Sequence, residues 1–190
     1  MARSSRASRK CSLPDAIAFF AKVLRSVSSL AFALASAGSV RGEDKEKANA
    51  DKEFLTKELP GTAASVKIIE YAAKNASHGK VRHFAKHVAK QHQEFVKTAS
   101  EHAKRLKIDV VTDPDKDSKE TIDKLSKLKG TDLDVAFLEW LIDGHKDTTV
   151  FDDEDKNGDD TDLKTFAKNA IASGNEHLVE ARGLLAKVKK

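Results

Sequence analysis

An all-α bundle is the fold this sequence predicts, and two observations carry it. Apolar residues recur at the three- and four-residue spacing of helices along four long segments, and no stretch alternates with the two-residue period of a half-buried strand. Aromatic residues make up only 6% of the chain and charged residues 34%, a balance that suits solvated helices rather than a β-sandwich. A chain of 190 residues suffices for one globular domain and a tail.

The tail comes first. Met1 to Arg25 is rich in Arg and Ser, and Ser26 to Val40 follows as an uncharged, mostly apolar run that includes Leu30, Phe32 and Leu34. A basic start followed by an apolar core is the order of a secretory signal, which assigns residues 1–42 to a leader. Small residues permit cleavage after Ala37 or after Gly42, and the second is preferred because an acidic, Lys-rich stretch begins at Glu43. A membrane-spanning helix needs roughly 20 apolar residues. This run is shorter and is diluted by Ser26, Ser28, Ser29, Ser36 and Ser39. The expectation is therefore an exported protein, periplasmic or envelope-associated, with a polar linker over 43–50 and a helical domain over 51–190.

The leader also explains the charge. The whole chain carries +4, but seven basic groups and one acid fall in residues 1–42, leaving 27 basic against 29 acidic residues in the body. A body near −2 lacks the basic surface that binds phosphate backbones, so no nucleic-acid partner is expected. Cys11 is the only cysteine and lies in the leader, so the mature domain has no disulfide and no thiolate ligand.

In the body, the first helix is expected from about Asp51 to Ala76, with Leu55, Leu59, Thr62, Val66, Ile69 and Ala73 on one face and a kink or break at Pro60-Gly61. The second runs from about His78 to Leu106. Its stripe is Val81, Phe84, Val88, Phe95, Ala99 and Leu106, opposite Lys86, Lys90, Lys97 and Lys104. A long polar connection, Lys107 to Gly130, holds a short extra helix over about Ser118 to Leu128. The third main helix is expected over Asp132 to Phe151, with Val135, Leu138, Leu141, Ile142 and Thr149 inward. An acidic loop, Asp152 to Asp162, leads to the fourth, Leu163 to Val188, with Asp162 as its cap and Phe166, Ala170, Gly174, Ala181, Leu184 and Val188 inward. Four amphipathic stripes that each need a partner predict a four-helix bundle with a long connection between its second and third helices.

Three histidines fall inside these stripes: His92, His145 and His177. His78, His83, His87 and His102 fall on outward or border faces. Counting from the helix starts places His92 and His145 at similar depth and His177 a few turns away. The three are read as neutral core or boundary histidines that fix packing. The alternative is a site for zinc, copper or iron, and imidazole nitrogens within about 5 Å of a common point are what would favour it. Asp134, Glu58 and Glu70 border the inner faces. Di-iron carboxylate bundles place Glu three residues before His, twice. Here those positions hold Asn75, Lys80, Phe84, Ala89, Ala99, Ile142 and Gly174, so di-iron oxidation chemistry is not expected. Asp153 to Asp159 begins like a calcium loop, but its twelfth position is Lys164 where a bidentate Glu is needed, and a solvated acidic turn is the reading. No phosphate-cradling glycine loop and no serine-elbow motif is present.

Several phrases together resemble domain-of-unknown-function family 4142 (DUF4142). They are Asp51-Lys-Glu-Phe-Leu, Val81-Arg-His-Phe-Ala-Lys-His-Val-Ala-Lys-Gln-His92, Phe137-Leu-Glu-Trp-Leu-Ile-Asp-Gly-His145, and Leu163-Lys-Thr-Phe-Ala with the later His177-Leu. The resemblance covers about residues 51 to 187. It implies a ferritin-like four-helix bundle, export, and an outer-membrane label, with no established activity. It also implies carboxylates in the first helix and directly before the two mid-helix histidines, where this chain has Ser65, Gln91 and Gly144. With no nucleophile, cofactor loop or intact metal motif, the functional expectation is a non-enzymatic binding or envelope- and stress-associated protein. The alternative is a ferritin-like metal-binding protein or oxidoreductase using His92, His145 and His177 with a transition metal.

Overall fold

The computed structural model describes residues 42–113 and 116–190. The expected leader and its Ala37 cleavage point lie outside the described residues, and the alternative point after Gly42 coincides with the first residue of a helix. Among the described residues the chain is all-helical: α1 (Gly42–Asn75), α2 (Gly79–Arg105), α3 (Lys116–Ser126), α4 (Gly130–Gly144), α5 (Thr149–Asn157) and α6 (Thr161–Val188). None of these helices is long and apolar enough to cross a membrane. Helix α1 packs along α2, while α4 and α5 both pack on α6. Helix α5 also reaches α1, and α3 lies over α1 and α4.

The stripes bury much as their spacing predicts. Leu55, Leu59, Ile69 and Ala73 of α1 are buried, as are Val81, Phe84, Val88 and Ala99 of α2, while Lys86, Lys90, Lys97 and Lys104 are exposed. The core divides into two main apolar clusters. One joins Ile69, Phe84, Val88, Phe137, Leu138, Leu141, Ala181 and Leu184. The other joins Phe54, Leu55, Leu59, Ala99 and Leu163, with Phe95, Phe151 and Phe166 packed against it. In the second cluster Phe54 meets Phe95, Phe151 and Phe166 edge-on, with the Phe151 centroid 5.2 Å away. A third, smaller cluster seats α3 through Leu125 against Ile68 and Leu133.

Four local expectations are corrected. Of the kink or break expected at Pro60, the break is excluded, since Pro60 lies inside α1. A proline in a helix interior costs about 3 kcal/mol, and burial on both sides of it, by Phe54, Leu55 and Leu59 and then Ala64, Ile68 and Ile69, offsets that cost. The third main helix is broken, with α4 ending at Gly144 and α5 starting at Thr149, so Thr149 is exposed rather than inward. At the break Asp147 Oδ1 accepts the Thr149 N–H at 3.0 Å, while the N-cap residue Thr148 makes no side-chain cap bond and gives its hydroxyl proton to Asp152 Oδ2 at 2.7 Å. The acidic segment after it is largely helix α5, not a loop, so Asp153, Asp155 and Asn157 spread around a helix, and Asn157 Nδ2 donates to Asp153 Oδ1. The cap of α6 is Asp160, which accepts from Leu163 N at 2.8 Å, and Asp162 lies in the first turn.

Buried carboxylates secure both ends of the bundle. Asp134 of α4, 1% exposed, accepts from Ser77 N at 2.8 Å, Ser77 Oγ at 2.6 Å and His78 N at 2.8 Å. It thereby caps α2, whose own N-cap residue His78 makes no side-chain cap bond. At the other end, Asp51 Oδ1 accepts from Asp159 N at 2.9 Å, and Arg105 holds Asp160 through two nitrogens at 2.5 and 2.7 Å. Glu154 is fully buried beside them, and neither of its oxygens has a hydrogen-bond partner. A Cβ at Gly158 would collide with the Glu154 carboxyl, so only glycine lets the chain turn over it.

Burial, with the Asp51 and Asp160 charges nearby, pushes the Glu154 carboxyl up to about 8 from 4.5. A group whose pKa is raised on folding contributes stability below its unfolded pKa and loses it as the pH rises through its folded one. Glu154 should therefore cost the fold stability progressively between about pH 4.5 and 8, and Glu154→Gln, which keeps the shape without the charge, should gain Tm relative to the wild type across that range. Melting curves across this range check it; an unchanged slope in the variant contradicts the assignment.

Candidate metal centre

Between the two apolar clusters lies one polar layer. His92 follows Ala89 and precedes Phe95 on α2, His145 caps α4 just after Ile142, and His177 precedes Ala181 on α6. Each histidine is thus carried into the core by the stripe of its own helix. Their ring centroids are 5.4, 5.8 and 5.2 Å apart pairwise, and one nitrogen from each lies within 4.8 Å of the others. His177 is therefore level with the other two rather than turns away. The helix starts are not level: α5 carries the chain past His145, and α6 climbs the same distance back.

The outer nitrogens fix which nitrogens face inward. Ser65 Oγ lies 2.8 Å from Thr62 O and 2.9 Å from His92 Nδ1, and with one hydroxyl proton both contacts are hydrogen bonds only when that proton goes to Thr62 O and His92 Nδ1 donates. His145 Nδ1 lies 2.9 Å from Leu141 O and must donate to it. The same carbonyl takes the His145 backbone N–H at 3.1 Å, closing the last turn of α4. His177 Nε2 faces Gln91, and with the amide's Oε1 toward the ring it donates to that oxygen. The bare inner nitrogens are then Nε2 of His92, Nε2 of His145 and Nδ1 of His177, the last two 3.2 Å apart. An imidazole whose outer N–H is held by an oxygen and whose inner lone pair is free is arranged as a metal ligand is.

The same burial keeps the rings neutral. Desolvation, then the neighbouring His145 and His177 charges, lowers His92 to about 3. Desolvation likewise lowers His177 to about 4, with His145 and His87 adding to it, and it lowers His145. Protons thus compete little for the inner lone pairs near neutral pH, which matters because a metal binds only the unprotonated ring. Gly174 makes room for the arrangement: a Cβ there would sit 3.3 Å from His145 Cδ2.

The positions where the family resemblance implied carboxylates are occupied differently. Ser65 supports His92 from α1, as an acid there would. Gln91 does not orient its neighbour His92 but crosses to His177 on α6. Gly144 contributes no side chain, and the backbone of Leu141 supports His145 in its place. Asp134 is committed to the α2 cap, and Glu70 accepts from Gln93 Nε2 at 2.7 Å. Glu58 is raised to about 7 by burial and by Asp147, against the opposing charge of Lys57. None of the three acids joins the imidazoles; among the described residues the cluster close enough to share an ion is His92, His145 and His177. Of the other histidines, His83 and His87 are exposed and His78 and His102 half-buried.

Neither the curated proteins nor the solved structures contain a match to this chain. The family model described as a domain of unknown function, DUF4142, matches residues 37–184, and the chain belongs to that family.

Proposed function

We propose that this chain is an exported, non-enzymatic binding protein whose ligand is a divalent transition metal held by His92 Nε2, His145 Nε2 and His177 Nδ1. The observation that carries the reading is the 3.2 Å approach of His145 and His177 nitrogens whose outer N–H groups are already committed to oxygens. Two lone pairs at that distance repel, and a cation between them removes the repulsion. Three neutral imidazoles suit zinc and copper(II) better than the oxygen-seeking ions magnesium, calcium and manganese. Three imidazoles leave a fourth position on the ion open to water or another ligand.

A ferritin-like arrangement of four rods accords with the α1–α2 pairing, the long connection that carries α3, and α4 with α5 as one interrupted helix. Export to the periplasm or envelope is supported by the basic start and apolar run of residues 1–40. The mass of the secreted protein checks it: a chain beginning at Gly38 or Glu43 is expected, and a secreted chain still beginning at Met1 contradicts it.

Metal binding to the folded state alone stabilises it by mass action, about 2.7 kcal/mol when free metal is 100 times Kd. Added zinc should raise the Tm of the wild type, with one equivalent bound per chain, and the variant with His92, His145 and His177 all replaced by Ala should lose the response. A zinc-induced shift of equal size in that variant refutes the site.

A further inference from the structure

One residue of this site can serve it in two opposite ways. His145 Nδ1 is committed to Leu141 O, so His145 Nε2 is bare whatever else happens. His92 Nδ1 is committed to Ser65 Oγ in the same way. His177 is not so fixed, because its outer partner is the carboxamide of Gln91, which carries an acceptor oxygen and a donor NH₂ on one planar group. With Oε1 facing it, His177 holds its proton on Nε2 and turns a bare Nδ1 toward His145. With the amide turned about 180°, the NH₂ donates to His177 Nε2, and the ring proton sits on Nδ1. The 3.2 Å contact with His145 Nε2 is then an ordinary hydrogen bond. In the first state an ion pairs the bare nitrogens, and in the second the His145–His177 pair is satisfied while His92 Nε2 alone stays bare.

Resting on the proposed metal reading and deepening it, we infer that Gln91 is a positioning residue whose amide orientation selects the His177 tautomer. The metal-free site closes on itself through a His177 Nδ1–H to His145 Nε2 bond, and it opens to an ion when the amide turns its oxygen inward. The exchange balances: the N–H bond at Nδ1 of His177 breaks, one forms at Nε2 of the same ring by way of solvent, and His177 neither gains nor loses a proton. The ion must displace the closed state, so apparent affinity is reduced by the fraction of molecules that are closed. An ionised carboxylate at this position accepts only, and so holds His177 in the open tautomer with or without metal.

The test is the position of the His177 ring proton, read by long-range ¹H–¹⁵N correlation on the ¹⁵N-labelled chain, metal-free and with one equivalent of zinc. The expected result is a proton on Nδ1 in the metal-free wild type and on Nε2 with zinc. In Gln91→Glu it is expected on Nε2 in both states, with zinc Kd tighter by about tenfold or more, within the range usual for partners of metal ligands. A proton on Nε2 in the metal-free wild type, or one that does not move when zinc binds, overturns the switch and leaves the metal site standing. Zinc that perturbs none of the three rings overturns the metal reading instead. The metal-free tautomers of wild type and Gln91→Glu then still decide whether Gln91 sets the ring proton. Should Gln91→Glu fail to fold, the two wild-type spectra decide the matter alone.

Discussion

Burying three imidazoles at one level of a helical core is a demand that much of the surrounding structure is arranged to meet. A polar nitrogen taken out of water costs free energy unless it is bonded, and each ring brings two. The outer three are met by three different devices: a hydroxyl on the facing helix, a backbone carbonyl in the last turn of α4, and a side-chain amide one residue from another of the histidines. The Leu141 carbonyl serves twice, taking the His145 backbone N–H as the last bond of α4 and the Nδ1–H of the same residue's ring. Gly174 belongs to the same arrangement, since a side chain there crowds the His145 ring.

The division of the core into two apolar clusters with a polar layer between them also separates roles. Phe84, Phe137 and Leu141 on one side and Phe54, Leu55 and Leu163 on the other supply the burial that makes the fold stable. The imidazole layer contributes specificity of alignment, since sliding any helix by one turn would separate its nitrogen from the others by about 5 Å. Carboxylates do the same work at the two ends, Asp134 by capping α2 from α4, and Asp51 and Asp160 by holding the turn that leads into α6.

The helices, their inward faces and the three core histidines were legible in the sequence because periodicity reports burial directly. The boundaries were less so, and each miss has a physical source. Pro60 reads as a kink or a break because a proline costs the same locally whether or not burial on both sides offsets it. At the α4–α5 interruption Asp147 accepts the first N–H of a new helix, a signal that is present in the sequence but that a count of apolar spacing passes over. Ser65 and Gln91 stand out in the sequence only as places where carboxylates are missing. Their roles are tertiary, since Ser65 meets a ring 27 positions away and Gln91 one 86 positions away, and no spacing rule links them. Asp134 had one usable clue: α2 begins without a capping side chain of its own, and a buried acid elsewhere was free to supply it.

The central claim is that the three inner nitrogens share one ion, and X-ray absorption at the zinc edge on the zinc-loaded full chain tests it most directly. The account predicts a first shell with three imidazole nitrogens near 2.0–2.1 Å, showing the outer-ring scattering of histidine. That signature should drop to two imidazoles in His177→Ala. A shell dominated by carboxylate or water oxygens, or one unaltered by that substitution, would contradict it.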